Sequence, residues 1–122
     1  MPIREIKILE NLLNYSSLKQ KVISENIANT ETIGYKRRDV DFKDLLDNGM
    51  KSLSNLDLKK TDFQVNVDKS TENVSGVNNV DINKEMAEMA QNSILFRFAA
   101  RKLNAHYSSL QSVIKGGAGR WK

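Results

Sequence analysis

The chain has no cysteine, one proline, one histidine and one tryptophan in 122 residues. Each scarcity closes off a class of protein. Without cysteine there is no disulfide framework, no thiolate metal site and no thiol nucleophile. Such a composition suits a reducing compartment, or an exported protein that does without disulfides. His106 would carry any histidine chemistry alone. Its neighbours at helical spacing are Lys102, Leu103 and Leu110, none of them a second ligand, so it reads as a helix-surface residue rather than part of a metal site or triad. Aromatic residues make up 7% of the chain and apolar residues 39%, against roughly 45–50% apolar in ordinary globular domains. That is thin material for a central core, and part of the chain is expected to become ordered only when a partner covers it.

Long apolar runs are also missing. Arg4, Glu5, Lys7 and Glu10 interrupt the N-terminal segment, which therefore lacks the pattern of a secretory signal. No stretch approaches the roughly 20 apolar residues that span a bilayer, so no membrane insertion is expected. The chain would stay in the cytoplasm or leave by a route that needs no cleaved signal. No phosphate-binding loop, dinucleotide fingerprint or nucleophile elbow is present. Glu85 and Glu88 read as a solvated acidic first turn of a helix rather than an acid–base pair. Asp39 and Asp41 alternate with Val40 and Phe42 and are expected to face solvent, with too few oxygen ligands around them for a calcium loop. No catalytic, cofactor-binding or metal site, and no cofactor, is expected. The net charge is +4. The one dense basic cluster, Lys36-Arg37-Arg38, runs directly into Asp39, Asp41 and Asp44, which makes a poor face for nucleic acid.

What the sequence does have is periodicity at both ends. Ile82, Met86, Met89, Ser93, Phe96, Ala100, Leu103, Tyr107, Leu110 and Ile114 follow one another in alternating steps of four and three. This unbroken heptad predicts a coiled-coil seam rather than a generic surface helix. Asp81 or Asn79 is a candidate N-cap. Acidic Asp81, Glu85 and Glu88 come first and basic Arg97, Arg101, Lys102 and Lys115 later, the order that complements a helix dipole. Gly116-Gly117 is the expected stop. At the other end, Ile3, Ile6, Leu9, Leu13, Leu18, Val22, Ile23 and Ile27 form a broader stripe, widened by Ile8, Leu12 and Tyr15, so this helix is expected to meet more than one neighbour.

The organisation that follows is an N-terminal helix within 1–29, a polar middle over 30–80 and a C-terminal helix with a glycine-rich tail over 81–122. In the middle, 62–67 alternates as a strand would. Val40, Phe42 and Leu45-Leu46 are candidates for a further packed piece, and Asp47-Asn48-Gly49, Ser70-Thr71 and Ser75-Gly76 are turn formers. The expected fold is mainly α, with two long end helices packed as an antiparallel coiled coil and a small, irregular, short-β middle. One buried apolar side chain contributes roughly 1.5–3 kcal/mol, while ordering one residue costs about 1–2 kcal/mol. A helix with about one residue in three buried does not stand alone on those terms. The second helix is expected chiefly to zip onto the first, and the monomer to be marginal until other chains pack on it.

One segment goes beyond composition. Asn26-Ile27-Ala28-Asn29-Thr30-Glu31-Thr32-Ile33-Gly34-Tyr35-Lys36 resembles the N-terminal signature of the flagellar rod, hook and hook-associated axial proteins, with Ile33 where that family usually has proline. Arg37-Arg38-Asp39-Val40-Asp41-Phe42, the run from Asn79 to Ala90, and the stretches Leu95–Leu103 and Ile114–Gly117 are similar to the short proximal-rod members rather than to longer axial proteins. The likeness is weakest from about 47 to 75. The resemblance implies a structural, non-enzymatic subunit of the proximal rod, in which Asn26, Ile27, Ala28, Asn29, Gly34, Tyr35 and Lys36 form an assembly motif. It implies assembly with copies of itself and other rod proteins, contact with the junction protein at the base, and passage unfolded through the flagellar export apparatus. A different axial subunit, or a basic coiled-coil protein that binds nucleic acid, are the alternative readings.

Overall fold

The computed structural model describes residues 2–43, 63–71, 73 and 76–120. Four elements follow in chain order: α1 (Pro2–Ala28), β1 (Arg38–Val40), β2 (Val65–Val67) and α2 (Ile82–Arg120). The expected pieces at Leu45-Leu46 and 47–49 lie outside the described residues. The two helices pack against each other in opposite directions, since Asn26 reaches Glu85, Ser16 reaches Asn92 and Glu10 reaches Tyr107. Between their ends sits a two-stranded antiparallel ribbon, with Arg38 opposite Val67 and Val40 opposite Val65.

α1 is helical because its apolar residues recur at the spacing of a helix face, and Pro2 occupies the one turn where a missing N–H costs nothing. Beside Asn11 and Asn26, its buried positions form two adjacent rows, Leu9, Ser16 and Ile23 in one, Tyr15 and Val22 in the other. The first row faces α2. The second, with partly buried Leu12 and Leu18, packs on Val40, Phe63 and Leu95. Tyr15 meets Phe42 and Phe63 edge-on, with ring centroids 5.8 and 5.7 Å away. This small cluster pins the ribbon to one flank of the helix pair.

α2 is 39 residues long, about 58 Å at ~1.5 Å per residue. Asp81 caps its start, Oδ1 accepting from the Asn83 and Lys84 N–H groups. The expected stop at Gly116-Gly117 is not observed, and the helix runs on to Arg120. A glycine costs a helix only about 1 kcal/mol, and no proline interrupts this one.

The face that α2 turns toward α1 also differs from expectation. Its buried residues are Glu85, Asn92 and Ala99, a heptad that starts one residue ahead of the apolar one. Of the expected seam, Met89, Ala100 and Leu103 are partly buried. Ile82, Met86, Phe96, Tyr107, Leu110 and Ile114 are exposed, as is Ser93. One residue along a helix is a rotation of about 100°, so the apolar stripe lies on the flank of α2 rather than under α1. The expectation that it zips the two helices together is therefore corrected. The row of Glu85, Asn92 and Ala99 is buried there instead, with Glu85 and Asn92 hydrogen-bonded to Asn26 and Ser16 of α1.

Candidate assembly site

Where α1 ends, the signature residues become a hydrogen-bonded joint. Asn29 Nδ2 donates to the Glu25 carbonyl (2.8 Å) and Thr30 Oγ1 to the Ile27 carbonyl (2.7 Å), satisfying acceptors that the helix end leaves open. The chain then turns back at Gly34, whose φ of 75° suits glycine. Ile33 at the tip is 88% exposed.

Asn26 is wholly buried. Its Nδ2 donates to the Arg38 carbonyl (2.8 Å) and to Glu85 Oε2 (3.3 Å). Its Oδ1 accepts from the Arg38 N–H (2.9 Å) and from Tyr35 Oη (2.9 Å). One amide thus holds both backbone groups of the first residue of β1, as a neighbouring strand would. Burial pushes the Tyr35 phenol above its usual range, which keeps its proton on the bond to Asn26. Ile27 and Tyr35 are partly covered, while Ala28 and Lys36 are exposed.

Arg37 lies behind this joint, with its side chain 3% exposed. Its Nε donates to Glu85 Oε1 (2.7 Å) and one terminal nitrogen to Asp68 Oδ2 (2.8 Å), while the other lies 3.5 Å from Glu88. Burial opposes the guanidinium charge, yet the bonds to Glu85 and Asp68 outweigh it and hold the proton more firmly than usual. Asp68 is held well below the usual carboxylate range by the Thr71 hydroxyl first and Arg37 second. Lys19, from α1, salt-bridges Asp39. The residues just before α2 complete the joint. Asn79 accepts from the Arg37 N–H (2.8 Å) and donates to the Asp68 carbonyl (3.0 Å). Asn78 Nδ2 lies within 3.0 Å of the Asn29, Thr30 and Thr32 carbonyls.

The reading of Glu85 as a solvated first-turn carboxylate is thus overturned. It is wholly buried because a cation and an amide from elsewhere in the chain meet it there. Lys36-Arg37-Arg38 is not a basic face either, since its middle residue points inward. His106 lies at the far end of the helix pair, Nε2 3.1 Å from Glu5 Oε2. Sequence reasoning missed Arg37, Asp68, Asn78, Ser16 and Asn92 as structural residues. The one available signal was the density of asparagine next to helix ends. Among the described residues, no group of three or more His, Asp or Glu gathers as a metal-ligand set, and no helix is long and apolar enough to cross a membrane.

The turn that locks this long helix pair is built from Asn26, Asn29, Gly34 and Tyr35, the residues whose sequence resembles the flagellar axial signature. Comparison with known proteins narrows this. The chain is 40% identical to the flagellar basal body rod protein FlgB of Bacillus subtilis (strain 168), over 92% of this chain and 94% of that protein. It is 29% identical to FlgB of Borrelia hermsii, over 90% and 95% of the two chains, and 25% identical to FlgB of Escherichia coli (strain K12), over 92% and 94%. No family model matches. The chain belongs to the FlgB family of flagellar basal body rod proteins.

Proposed function

We propose that the chain is a structural, non-catalytic subunit of the proximal rod of the flagellar basal body, assembling helically with copies of itself and with other rod proteins. The observation that carries this reading is the likeness to FlgB along nearly the whole of both chains, which takes in both helices and the locked turn. The polar joint supports it further. A subunit in a stressed shaft needs one fixed angle between its helix pair and its body, and buried hydrogen bonds set such an angle more sharply than apolar contacts do. Asn26, Asn29, Gly34 and Tyr35 set that angle, and Lys36 is left exposed at the surface of the turn.

In the same reading the chain passes unfolded through the flagellar export apparatus, takes its place in the periplasmic part of the rod, and meets the junction protein at the base. The outward apolar heptad of α2 supplies the surface that other subunits cover. Deleting the gene in the producing bacterium should abolish motility and leave basal bodies without a rod, with both restored by the intact gene. Normal filaments in the deletion strain would sink the proposal.

A further inference from the structure

The two outer edges of the ribbon are finished differently. On β1, Asn26 takes both backbone groups of Arg38, and Asp39 Oδ1 accepts from the Val40 N–H (2.8 Å). That edge is closed by side chains. The same bonds fix which way β2 faces. Facing pairs in an antiparallel ladder alternate between exchanging both of their bonds and exchanging none. Arg38 turns its backbone groups away from the ribbon, so Val67 opposite exchanges nothing with it, and two residues along the same holds for Val40 and Val65. Val65 and Val67 therefore turn their N–H and C=O groups to the outer edge of β2. No bond from elsewhere among the described residues reaches them. Their side chains are 41% and 46% exposed. Edge strands are commonly blunted by lysine, proline or a bulge, and Val65-Asn66-Val67 carries none of these.

The sequence of this open edge names its occupant. Val-Asn-Val reads the same in both directions, and antiparallel pairing about Asn66 lays it on itself. Val65 then exchanges both backbone bonds with the partner's Val67, and Val67 with the partner's Val65. Asn66 faces the partner's Asn66 on one side of the joined sheet, and the valines of both copies lie together on the other. Beyond them Gln64 faces the partner's Asp68 and Phe63 the partner's Lys69, so no like charges meet. A foreign strand is selected by pockets for its alternate side chains, whereas a second copy needs only the symmetry that β2 already has.

We propose that two copies of the free chain pair through β2, antiparallel about Asn66, and join their ribbons into one sheet. The contact is two-fold and uses the same edge of both copies, so it closes. The edges left outermost are those of β1, already sealed by Asn26 and Asp39. Three residues a side bury far less than the roughly 1,200 Å² of a stable complex, so the copies pair and part readily.

The test uses the purified full chain. It has no cysteine, so one introduced thiol reports one position. Asn66 meets its counterpart at a position without ladder bonds, where Cα atoms lie about 4.5 Å apart, within the reach of a disulfide. Under mild oxidation Asn66→Cys should give at least about tenfold more disulfide-linked dimer than Lys69→Cys, a second exposed site that the pairing carries away from its counterpart. Equal yields overturn the proposal. In the wild-type chain, amide hydrogen exchange at Val65 and Val67 should slow as concentration rises, while exchange at Asn66, whose N–H faces β1, should not change. Exchange at Val65 and Val67 that is independent of concentration overturns it as well. Both measurements are made on the free chain, so their failure leaves the rod reading standing.

Discussion

Arg37 and Glu85, 48 residues apart, form an ion pair at 2.7 Å with side chains 3% and 0% exposed. Each charge is tolerable only because the other is there. Removing one partner of a buried pair leaves an uncompensated ion and costs about 3–5 kcal/mol, whereas replacing both by apolar residues of similar volume is often nearly neutral. Arg37→Met and Glu85→Met should each lower stability by that amount in urea denaturation of the purified chain. The double variant should recover at least half of the summed loss. Strictly additive losses would show that the two side chains act independently.

Acid should loosen the same joint. The carboxyl of Asp68 is held below its unfolded value of 3.8. The native state therefore binds fewer protons than the unfolded one as pH falls through that range. The stability it contributes is fully present above about pH 4 and is lost as pH falls further. The urea midpoint of the wild-type chain should fall as pH drops from about 4 toward about 2, with a shallower fall in Asp68→Asn. Identical acid limbs would show that other carboxylates carry the effect.

The turn makes a separable prediction. No atom outside the local backbone lies within 4 Å of where a Cβ would sit on Gly34, while its φ is +75°. The penalty for a side chain there is conformational rather than steric. Gly34→Val should cost about 1–3 kcal/mol. Gly34→Asn should cost well under that, because asparagine tolerates the left-handed region. Equal losses in thermal unfolding would mean that space, not backbone geometry, is limiting.

Much of this architecture was legible. The helices followed from periodicity, and the turn from Asn29, Gly34 and Tyr35. What stayed hidden shares one physical cause: spacing identifies a face but not what covers it. Glu85 looked like any acidic residue in a first helical turn, since its partners Arg37 and Asn26 come from distant parts of the chain. The apolar heptad was visible at every step, yet Glu85, Asn92 and Ala99, one position over, are the residues of α2 that are buried. Ser16 and Asn92 satisfy each other's polar groups at 2.8–2.9 Å, and neither stands out until both helices are in place.

That offset separates folding from assembly in a way mutation can read. Ala99 is wholly buried whereas Leu110 is 45% exposed. Ala99→Leu forces extra atoms into a closed interface and should cost about 1–3 kcal/mol in the free chain. Leu110→Asp should change the free chain's stability by no more than about 0.5 kcal/mol while preventing recovery of the chain in purified basal bodies. Loss of stability in Leu110→Asp would place that residue in the fold.

The bond from Asn26 to Glu85 spans 59 residues, and the carbonyls that leave α1 wait for Asn78. During synthesis the first helix is thus finished long before its exit can be fastened. At about 5–20 residues per second, some 50 intervening residues leave an interval on the order of 3–10 s. Throughout it the nascent chain has only the local bonds of its turn, from Asn26 to Tyr35 and Arg38, and the bonds that tie the turn to α2 arrive with its second half.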